Sequence, residues 1–281
     1  MMSPVEMRRT KLALVLLDII GSTAFVQRAG AETAAKWFQF HDKMARNLCY
    51  RYGGREIDRS DGFLLSFERP IDAVNFSLNY QNTIPAKTNL DCRIGIHWGE
   101  IVEVKQDDVF VAANAKRIEL EGISKNIAAR TMSLCEAGQV LLTREAFLAI
   151  KNRTNRYTPK NTRYACVGLY KFKGVSTAQQ IYAVGETIES LQPPPGGDKV
   201  KRLGGPKYIK KRMRDKELRE HILSLCYFFG AISASYWIYL LIWVLVDPHR
   251  RLVHNIQGFE WVDDIVEFIN LAIKLYQEGK L

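Results

Sequence analysis

A continuous apolar run near the N-terminus constrains the fold of this chain more than any other feature. Residues Leu12–Leu17 are all apolar, and the run ends at Asp18, shortly before Gly21. An apolar run of this length beside a glycine is typical of a strand that is covered on both faces. The sequence therefore predicts a central strand over Lys11–Leu17, with Asp18 at the point where the strand meets a turn.

A second aspartate has the same kind of setting. Asp61 and Gly62 come directly before the apolar run Phe63–Phe67. If the two turns meet at one edge of a sheet, Asp18 and Asp61 offer the hard oxygen ligands that suit Mg²⁺. Taken singly, Asp18 equally fits a helix cap and Asp61 a hairpin turn. The two residues alone leave both interpretations open.

Apolar spacing predicts the remaining elements of the first two thirds of the chain. It indicates, in order, helices over Glu32–Tyr50 and Pro70–Tyr80 with the Asp61 hairpin between them, a strand, tight turn and strand within Arg93–Glu103, a loop with a short strand or helix over 105–121, a helix over 122–134, a strand over 138–142, and a closing hairpin of Tyr164–Phe172 and Gln180–Val184. This order predicts an α+β fold, a sandwich of ferredoxin-like connectivity.

The last third of the chain has a different composition. Prolines, glycines and then basic residues make 187–221 a predicted linker, and 222–246 has no charged residue. A run of this length suits a transmembrane helix, and its basic flank would place the preceding domain in the cytoplasm at a bacterial inner membrane. The alternative is that 222–246 forms a fully buried helix of a cytoplasmic protein. An amphipathic helix is predicted within 247–281.

Charge and cysteine content narrow the possible partners. The net charge of +10 suggests polyanion partners, but the basic residues concentrate beside the apolar run, where anionic lipid heads are simpler partners than nucleic acid. The five cysteines form no CxxC pair, so they are predicted to be reduced thiols rather than a disulfide framework. The N-terminal residues contain no apolar segment typical of a signal peptide.

Four sequence blocks occur in one order and carry a resemblance to a known family. They are Leu17–Thr23, Ser60–Phe63, Arg93–Glu100 and Asn126–Arg130. Together they resemble the catalytic domain of class III nucleotide cyclases, over roughly residues 8–186. One such block occurs by chance, whereas four in register with both aspartates present are specific.

The resemblance implies a role for each site residue. Two divalent ions, Mg²⁺ or Mn²⁺, would be held by Asp18, Ile19 and Asp61. The triphosphate would be bound by the turn after Asp18, which consists of Ile19, Ile20, Gly21, Ser22 and Thr23, and by Lys173 near the end of the domain. Asn126 would orient the ribose and Arg130 would stabilise charge on the α-phosphate. Their alternatives are a helix N-cap for Asn126, a solvated helix residue for Arg130 and a surface turn lysine for Lys173.

The family builds each site across a dimer interface. By resemblance, Asp18 and Asp61 would come from one subunit and Asn126 and Arg130 from the other. The chain contains both halves, so it is expected to form a homodimer with two sites.

The purine-reading pattern of the family is absent from this chain. Adenylate cyclases of this family have Lys at the position of Ile57 and an Asp or Thr near the position of Glu119. Guanylate cyclases have Glu at the position of Ile57. A one-residue shift of the hairpin would present Asp58 in place of Ile57. In lacking this pattern the chain resembles the bacterial pyrimidine cyclases of Pycsar antiphage defence. The resemblance implies UTP as substrate and cUMP as product, with only a slight preference for UTP over CTP.

Three residues are candidates for contacting such a base. Tyr50 would fill the space of a purine, and Arg59 or Glu119 would read the pyrimidine edge. A core aromatic is the alternative role for Tyr50. For the whole domain, the alternatives are an adenylate cyclase and a degenerate domain that binds nucleotide without turning it over.

Overall fold

The central strand is the axis of the observed sheet. The structure, a computed structural model, describes residues 6–246 apart from 61, 89, 152 and 154–156. Strand β1 (Met7–Ile19) lies between β3 and β4 and pairs antiparallel with both. Ala13, Val15 and Leu17 are buried on one face, and Leu12 and Leu14 on the other. The prediction of a strand covered on both faces is confirmed, although the strand extends further at each end.

The other elements follow in chain order. They are α1 (Ser22–Ala29), α2 (Ala31–Arg51), β2 (Arg55–Arg59), β3 (Gly62–Phe67), α3 (Pro70–Thr88), β4 (Cys92–Lys105), α4 (Asp108–Ala112), β5 (Ile118–Glu121), α5 (Ile123–Leu134), β6 (Val140–Thr143), α6 (Arg144–Ile150), β7 (Arg163–Phe172), β8 (Gln179–Gly185), a 3₁₀ turn (Glu189–Leu191), β9 (Gly196–Gly197), β10 (Val200–Gly204) and α7 (Pro206–Val246). The strands form one sheet in the order β2-β3-β1-β4-β6-β8-β7-β10-β9, with β5 paired to β4.

Helices cover both faces of this sheet. Helices α2, α3 and α6 pack on the face that includes Val15 and Leu17, and α5 packs on the opposite face. The pair β4–β6 is parallel and the remaining described pairs are antiparallel. Two helical layers around a mixed sheet confirm the predicted α+β class.

The tight turn predicted within Arg93–Glu103 is wrong. Strand β4 is continuous and pairs with β1 along its length, from Ile19 opposite Cys92 to Met7 opposite Val104. Gly99 suggested a turn, but its role is close packing, because a Cβ there would lie 2.4 Å from the Ser124 hydroxyl oxygen of α5. A glycine in a strand pattern marks such an approach as readily as a turn.

The linker predicted at 187–221 is also partly wrong. Strands β9 and β10 lie within it, and β10 pairs with β7 at the side of the sheet. The basic residues after Pro206 belong to helix α7 rather than to an extended segment. Polar and proline-rich composition suggested a linker, but long-range backbone pairing orders part of this segment.

Helix α7 contains the predicted membrane span. Within the described residues, no helix is long and apolar enough to cross a bilayer, so the span predicted at 222–246 is not supported. The amphipathic helix predicted within 247–281 lies outside the described residues. The five cysteines are free thiols, as predicted.

Candidate active site

The end of β1 brings Asp18 next to two other strands. Its partners across the sheet are Arg93 of β4 and Gly62 of β3. Arg93 donates two hydrogen bonds to Oδ2 of Asp18, from Nε at 3.1 Å and from Nη2 at 2.6 Å. Sequence reasoning assigned no role to Arg93, although it opens one of the four family blocks. Asp18 is therefore held in place by a guanidinium rather than by a helix terminus.

The start of β3 approaches β1 very closely beside Asp18. A Cβ on Gly62 would lie 2.1 Å from the Leu17 carbonyl oxygen, so only glycine fits there. Asp61 lies outside the described residues; on its two sides, the Ser60 amide donates to the Gly62 carbonyl oxygen at 3.2 Å. The described residues on the two sides of Asp61 therefore lie at the edge of the sheet that carries Asp18.

The donor set at this edge suits a hard cation. No group of three His, Cys, Asp or Glu side chains that could hold a metal occurs among the described residues, which do not include Asp61. Both bonds from Arg93 go to Oδ2 of Asp18, so neither of them occupies Oδ1. A carboxylate oxygen in a half-open site fits Mg²⁺ or Mn²⁺, which bind through few carboxylates and complete their shells with water or phosphate.

The turn after Asp18 forms the start of α1. Ile20 is bonded through its amide to the Asp91 carbonyl oxygen at 2.8 Å, and Gly21 adopts a left-handed conformation with φ of 68°. The first helical bond runs from the Phe25 amide to the Gly21 carbonyl oxygen at 2.9 Å. The amides of Ser22 and Thr23 therefore precede the helical ladder, where they can bind phosphate oxygens.

Helix α5 carries Asn126 and Arg130 on the side away from its own sheet. Its buried side consists of Ile127, Ala128 and Thr131 with Ser124 and Leu134. Asn126 is exposed and Arg130 partly exposed. The spacing of four residues puts both on one side of the helix, and Gly122 occupies the N-cap position. The alternative role of Asn126 as an N-cap is therefore excluded.

Arg130 lies beside the backbone of Lys173. The Arg130 guanidinium donates from Nε to the Lys173 carbonyl oxygen at 3.4 Å. The Lys173 amide in turn donates to the Lys199 carbonyl oxygen at 2.9 Å. Lys199 was assigned no role from the sequence, because the pairing of β10 with β7 is not visible there.

The hairpin shift considered from the sequence occurs in the structure. The register of β2 against β3 slips between Glu56 and Asp58, around Ile57. Ile57 packs with Leu12 and other apolar residues on the α5 face of the sheet. Asp58 is opposite Leu64 on that same face and forms an ion pair with Lys116 at 2.5 Å.

The structure does not bring the other base-contact candidates to this face. Arg59 is opposite Phe63, on the α2 face, where it donates to Asp42 at 3.0 Å and lies over the Phe63 ring. Tyr50 belongs to α2 and is 86% exposed, so it is not a core aromatic either. Glu119 is exposed, because it lies between Ile118 and Leu120 of β5, whose side chains are on the buried side of that strand. Arg59 therefore lies on the opposite side of the sheet from Ile57 and Asp58.

Arg59 belongs instead to a buried polar network. Asp42 also accepts from His41, whose other ring nitrogen bonds to Tyr80, and Tyr80 contacts the Cys92 thiol at 3.2 Å. Burial alone would raise the pKa of Asp42, but the bonds from His41 and Arg59 lower it below its ordinary value. The charge of Arg59 is therefore compensated by Asp42 of the same chain.

Comparisons with known proteins agree with this geometry. The family model for the adenylate and guanylate cyclase catalytic domain matches residues 5–186. The chain belongs to this family. A receptor-type adenylate cyclase of Trypanosoma equiperdum is 26% identical over 181 residues, which cover 50% of this chain and 37% of that protein. The chain spans only 22% to 37% of the curated relatives that it matches.

Solved structures share the fold of this cyclase domain. The adenylyl cyclase CyaB from P. aeruginosa superposes with a TM-score of 0.57 at 21% identity, covering 66% of this chain and 99% of that one. The guanylate cyclase domain of RhGC from Catenaria anguillulae, in complex with GTP, gives a TM-score of 0.54 at 19% identity, covering 63% and 97%. The cyclase fold therefore accounts for about two thirds of the chain.

Proposed function

We propose that this chain converts a nucleoside triphosphate, UTP in the first place, into the 3′,5′-cyclic monophosphate and pyrophosphate. The 3′-oxygen forms a bond to the α-phosphorus, the bond from that phosphorus to the bridging oxygen breaks, and the 3′-hydroxyl proton passes to solvent. The proposal rests on one observation: Asp18, Arg93 and the start of β3 meet at one edge of the sheet. It lies beside the free amides at the start of α1.

The chain's own residues supply positioning and charge for this reaction. Asp18 and Asp61, with Ile19, would hold two divalent ions, which when bound assist loss of the 3′-proton and offset triphosphate charge. The amides of Ser22 and Thr23 would bind phosphate oxygens. Arg130 supplies a fixed cation for the charge that develops at the α-phosphate, and such preorganised charge is a major contribution to phosphoryl chemistry.

Two copies of the chain are needed to complete the site in this proposal. Asn126 and Arg130 project from the side of α5 that is not packed on its own sheet. In a twofold dimer that side can face the metal edge of the other copy, so each dimer has two sites. Ile123 at the start of α5, and Val109 and Phe110 on α4, are exposed apolar side chains of the kind that such an interface would cover.

The preference for UTP rests on the resemblance to the pyrimidine cyclases, and the residues around the β2 bulge are compatible with it. Ile57, where relatives read a purine, is apolar and packed against the sheet. Asp58 and Lys116 stand on that face and offer one acceptor and one donor. Uracil presents N3–H beside carbonyl oxygens, which complements this pair. Adenine presents N1 beside its amino group and complements it as well, so an adenylate cyclase is the second candidate.

The wider role is proposed from the resemblance to Pycsar cyclases and from the basic residues in the first part of α7. It is a second-messenger synthase in antiviral defence, located at the bacterial inner membrane. Loss of phage protection in cells that carry Asp18→Asn, with the protein still present at wild-type level, would support this role. Equal protection by both forms would contradict it.

The deciding experiment identifies the product. The protein is incubated separately with ATP, GTP, CTP and UTP in the presence of Mn²⁺, and products are identified by mass. We expect cUMP and pyrophosphate, with no product from Asp18→Asn or Asp61→Asn and normal product from the exposed control Glu32→Gln. Nucleotide binding without turnover would instead establish a binding domain, and cAMP as the main product would establish the second candidate.

A mixed dimer tests the shared site. Asp18→Asn and Arg130→Ala are each expected to be inactive alone. Mixed in equal amounts and allowed to exchange, they should recover about a quarter of wild-type activity, since half of the twofold dimers then contain one intact site. No recovery, despite exchange shown by differently tagged chains, would contradict a site built from two copies.

A further inference from the structure

A cleft forms where the chain returns to the sheet after the family domain. The family match ends at residue 186, and β10 then pairs with β7, placing Val200 opposite Phe172 and Lys201 opposite Lys171. The cleft between these strands has a volume of about 460 Å³, within the range of small-molecule sites. Its lining combines the buried apolar residues Phe172 and Val175 with charged residues from both strands.

The cleft is strongly basic. Four lysines and one acidic residue line it, namely Lys171, Lys173, Lys199, Lys201 and Asp198. The ion pairs found among the described residues include none with these lysines; Lys171 donates to the Ser176 carbonyl oxygen. Ammonium groups gathered around one cleft repel each other, so an anion bound there would relieve a cost that the fold otherwise carries.

The cleft shares Lys173 with the candidate active site. Lys173 lines it, and the carbonyl oxygen of the same residue accepts from Arg130. The Lys173 amide donates to the Lys199 carbonyl oxygen, so the added strand is fixed directly to the residue expected to meet the terminal phosphates. Lys199 and Lys201 therefore extend the basic surface outward from Arg130 rather than forming a separate patch.

We infer that the β9–β10 hairpin adds a phosphate-binding subsite, which holds the terminal phosphates of the triphosphate and then the pyrophosphate product. The inference rests on the proposed function. Lysine ammonium groups bind phosphate as point charges, and an open cleft lets the product leave. A lipid headgroup shares this chemistry, but the contact between Lys173 and Arg130 favours the triphosphate.

The test removes the two lysines that the hairpin adds. Lys199→Ala/Lys201→Ala is compared with Lys151→Ala/Lys160→Ala, which removes the same charge from exposed positions outside the cleft. We expect the cleft variant to raise KM for the nucleoside triphosphate about tenfold, a change of about 1.4 kcal/mol, with kcat changed less than twofold. The inhibition constant of pyrophosphate should rise by the same factor, and the control should match wild type.

Binding measurements separate this inference from the proposed function. Inorganic tripolyphosphate is titrated calorimetrically into the full chain, which requires no turnover. Weaker binding by the cleft variant supports the subsite even if no cyclic product forms. Unchanged KM and unchanged tripolyphosphate binding would overturn it. Loss of binding to phosphatidylserine vesicles, with KM unchanged, would assign the cleft to lipid and would overturn it as well.

Discussion

Replacing Gly95 by alanine should separate α5 from the sheet and disable the site. Gly95 lies in β4 directly beneath α5, and a Cβ there would lie 2.1 Å from the Met132 amide nitrogen and 2.7 Å from the Thr131 carbonyl carbon. Ordinary contacts between heavy atoms lie near 3.5 Å, so the helix must retreat by more than about 1 Å. The obstacle is backbone and cannot rotate away.

This displacement has an energetic and a catalytic consequence. Overpacking of a core costs about 1–3 kcal/mol, and we expect the upper end, about 3 kcal/mol, for Gly95→Ala. Because α5 carries Asn126 and Arg130, its retreat also moves both away from the reacting atoms, and a 1 Å misplacement can lower the rate about 100-fold. KM should change less, because the turn after Asp18, the proposed phosphate site, does not belong to α5.

Urea unfolding and steady-state kinetics measure the two effects. Gly197→Ala is the matched control, since a Cβ at Gly197 meets nothing within 4 Å, and it should unfold and turn over like wild type. The reasoning is refuted if Gly95→Ala unfolds within about 0.5 kcal/mol of wild type, the ordinary spread for surface substitutions. Full kcat in a destabilised variant would show that the position of α5 does not govern the reaction.

Two further predictions concern β4. Arg93→Met removes a positive charge from beside Asp18 and should tighten Mn²⁺ binding roughly tenfold, because like charges about 4 Å apart cost on the order of 1 kcal/mol even in water; weaker binding in a Mn²⁺ titration would show that Arg93 instead positions the ligand. Burial lowers the pKa of His97 to about 4. The unfolded chain therefore takes up the proton first, and stability should fall by about 1.4 kcal/mol per pH unit from near pH 6.5 towards pH 4. His97→Gln should lose this part of the slope in urea unfolding, and an unchanged slope would contradict it.

Local periodicity was enough to predict most helices and the central strand. Runs such as Leu12–Leu17 and the helical spacing of Glu32–Tyr50 encode burial directly, and both elements occur where expected. The tight turn within Arg93–Glu103 was predicted wrongly because a glycine such as Gly99 indicates only that a side chain does not fit. It does not indicate whether a turn or a packed helix is the cause. The structure resolves this through the Ser124 hydroxyl, which is distant in sequence.

The candidate site also has features that short-range sequence spacing predicts and features that it does not. The placement of Asp18 at a strand end and the shared side of Asn126 and Arg130 follow from short-range spacing, and the structure agrees. Arg59 could not be assigned to a face of the sheet from sequence, because a bulge reverses the alternation of side chains beyond it. The slip around Ile57 turns Asp58 to the α5 face and leaves Arg59 on the other.

The bulge also bears on how a cyclase could change its base. The register slip in β2 puts Ile57 and Asp58 on one face, so an apolar and a charged side chain stand side by side there. The central strands β1 and β4 pair without interruption beside it. Base preference can therefore change in the edge hairpin while Asp18 and α5 keep their positions, because a bulge alters local side-chain direction at little cost to the rest of the sheet.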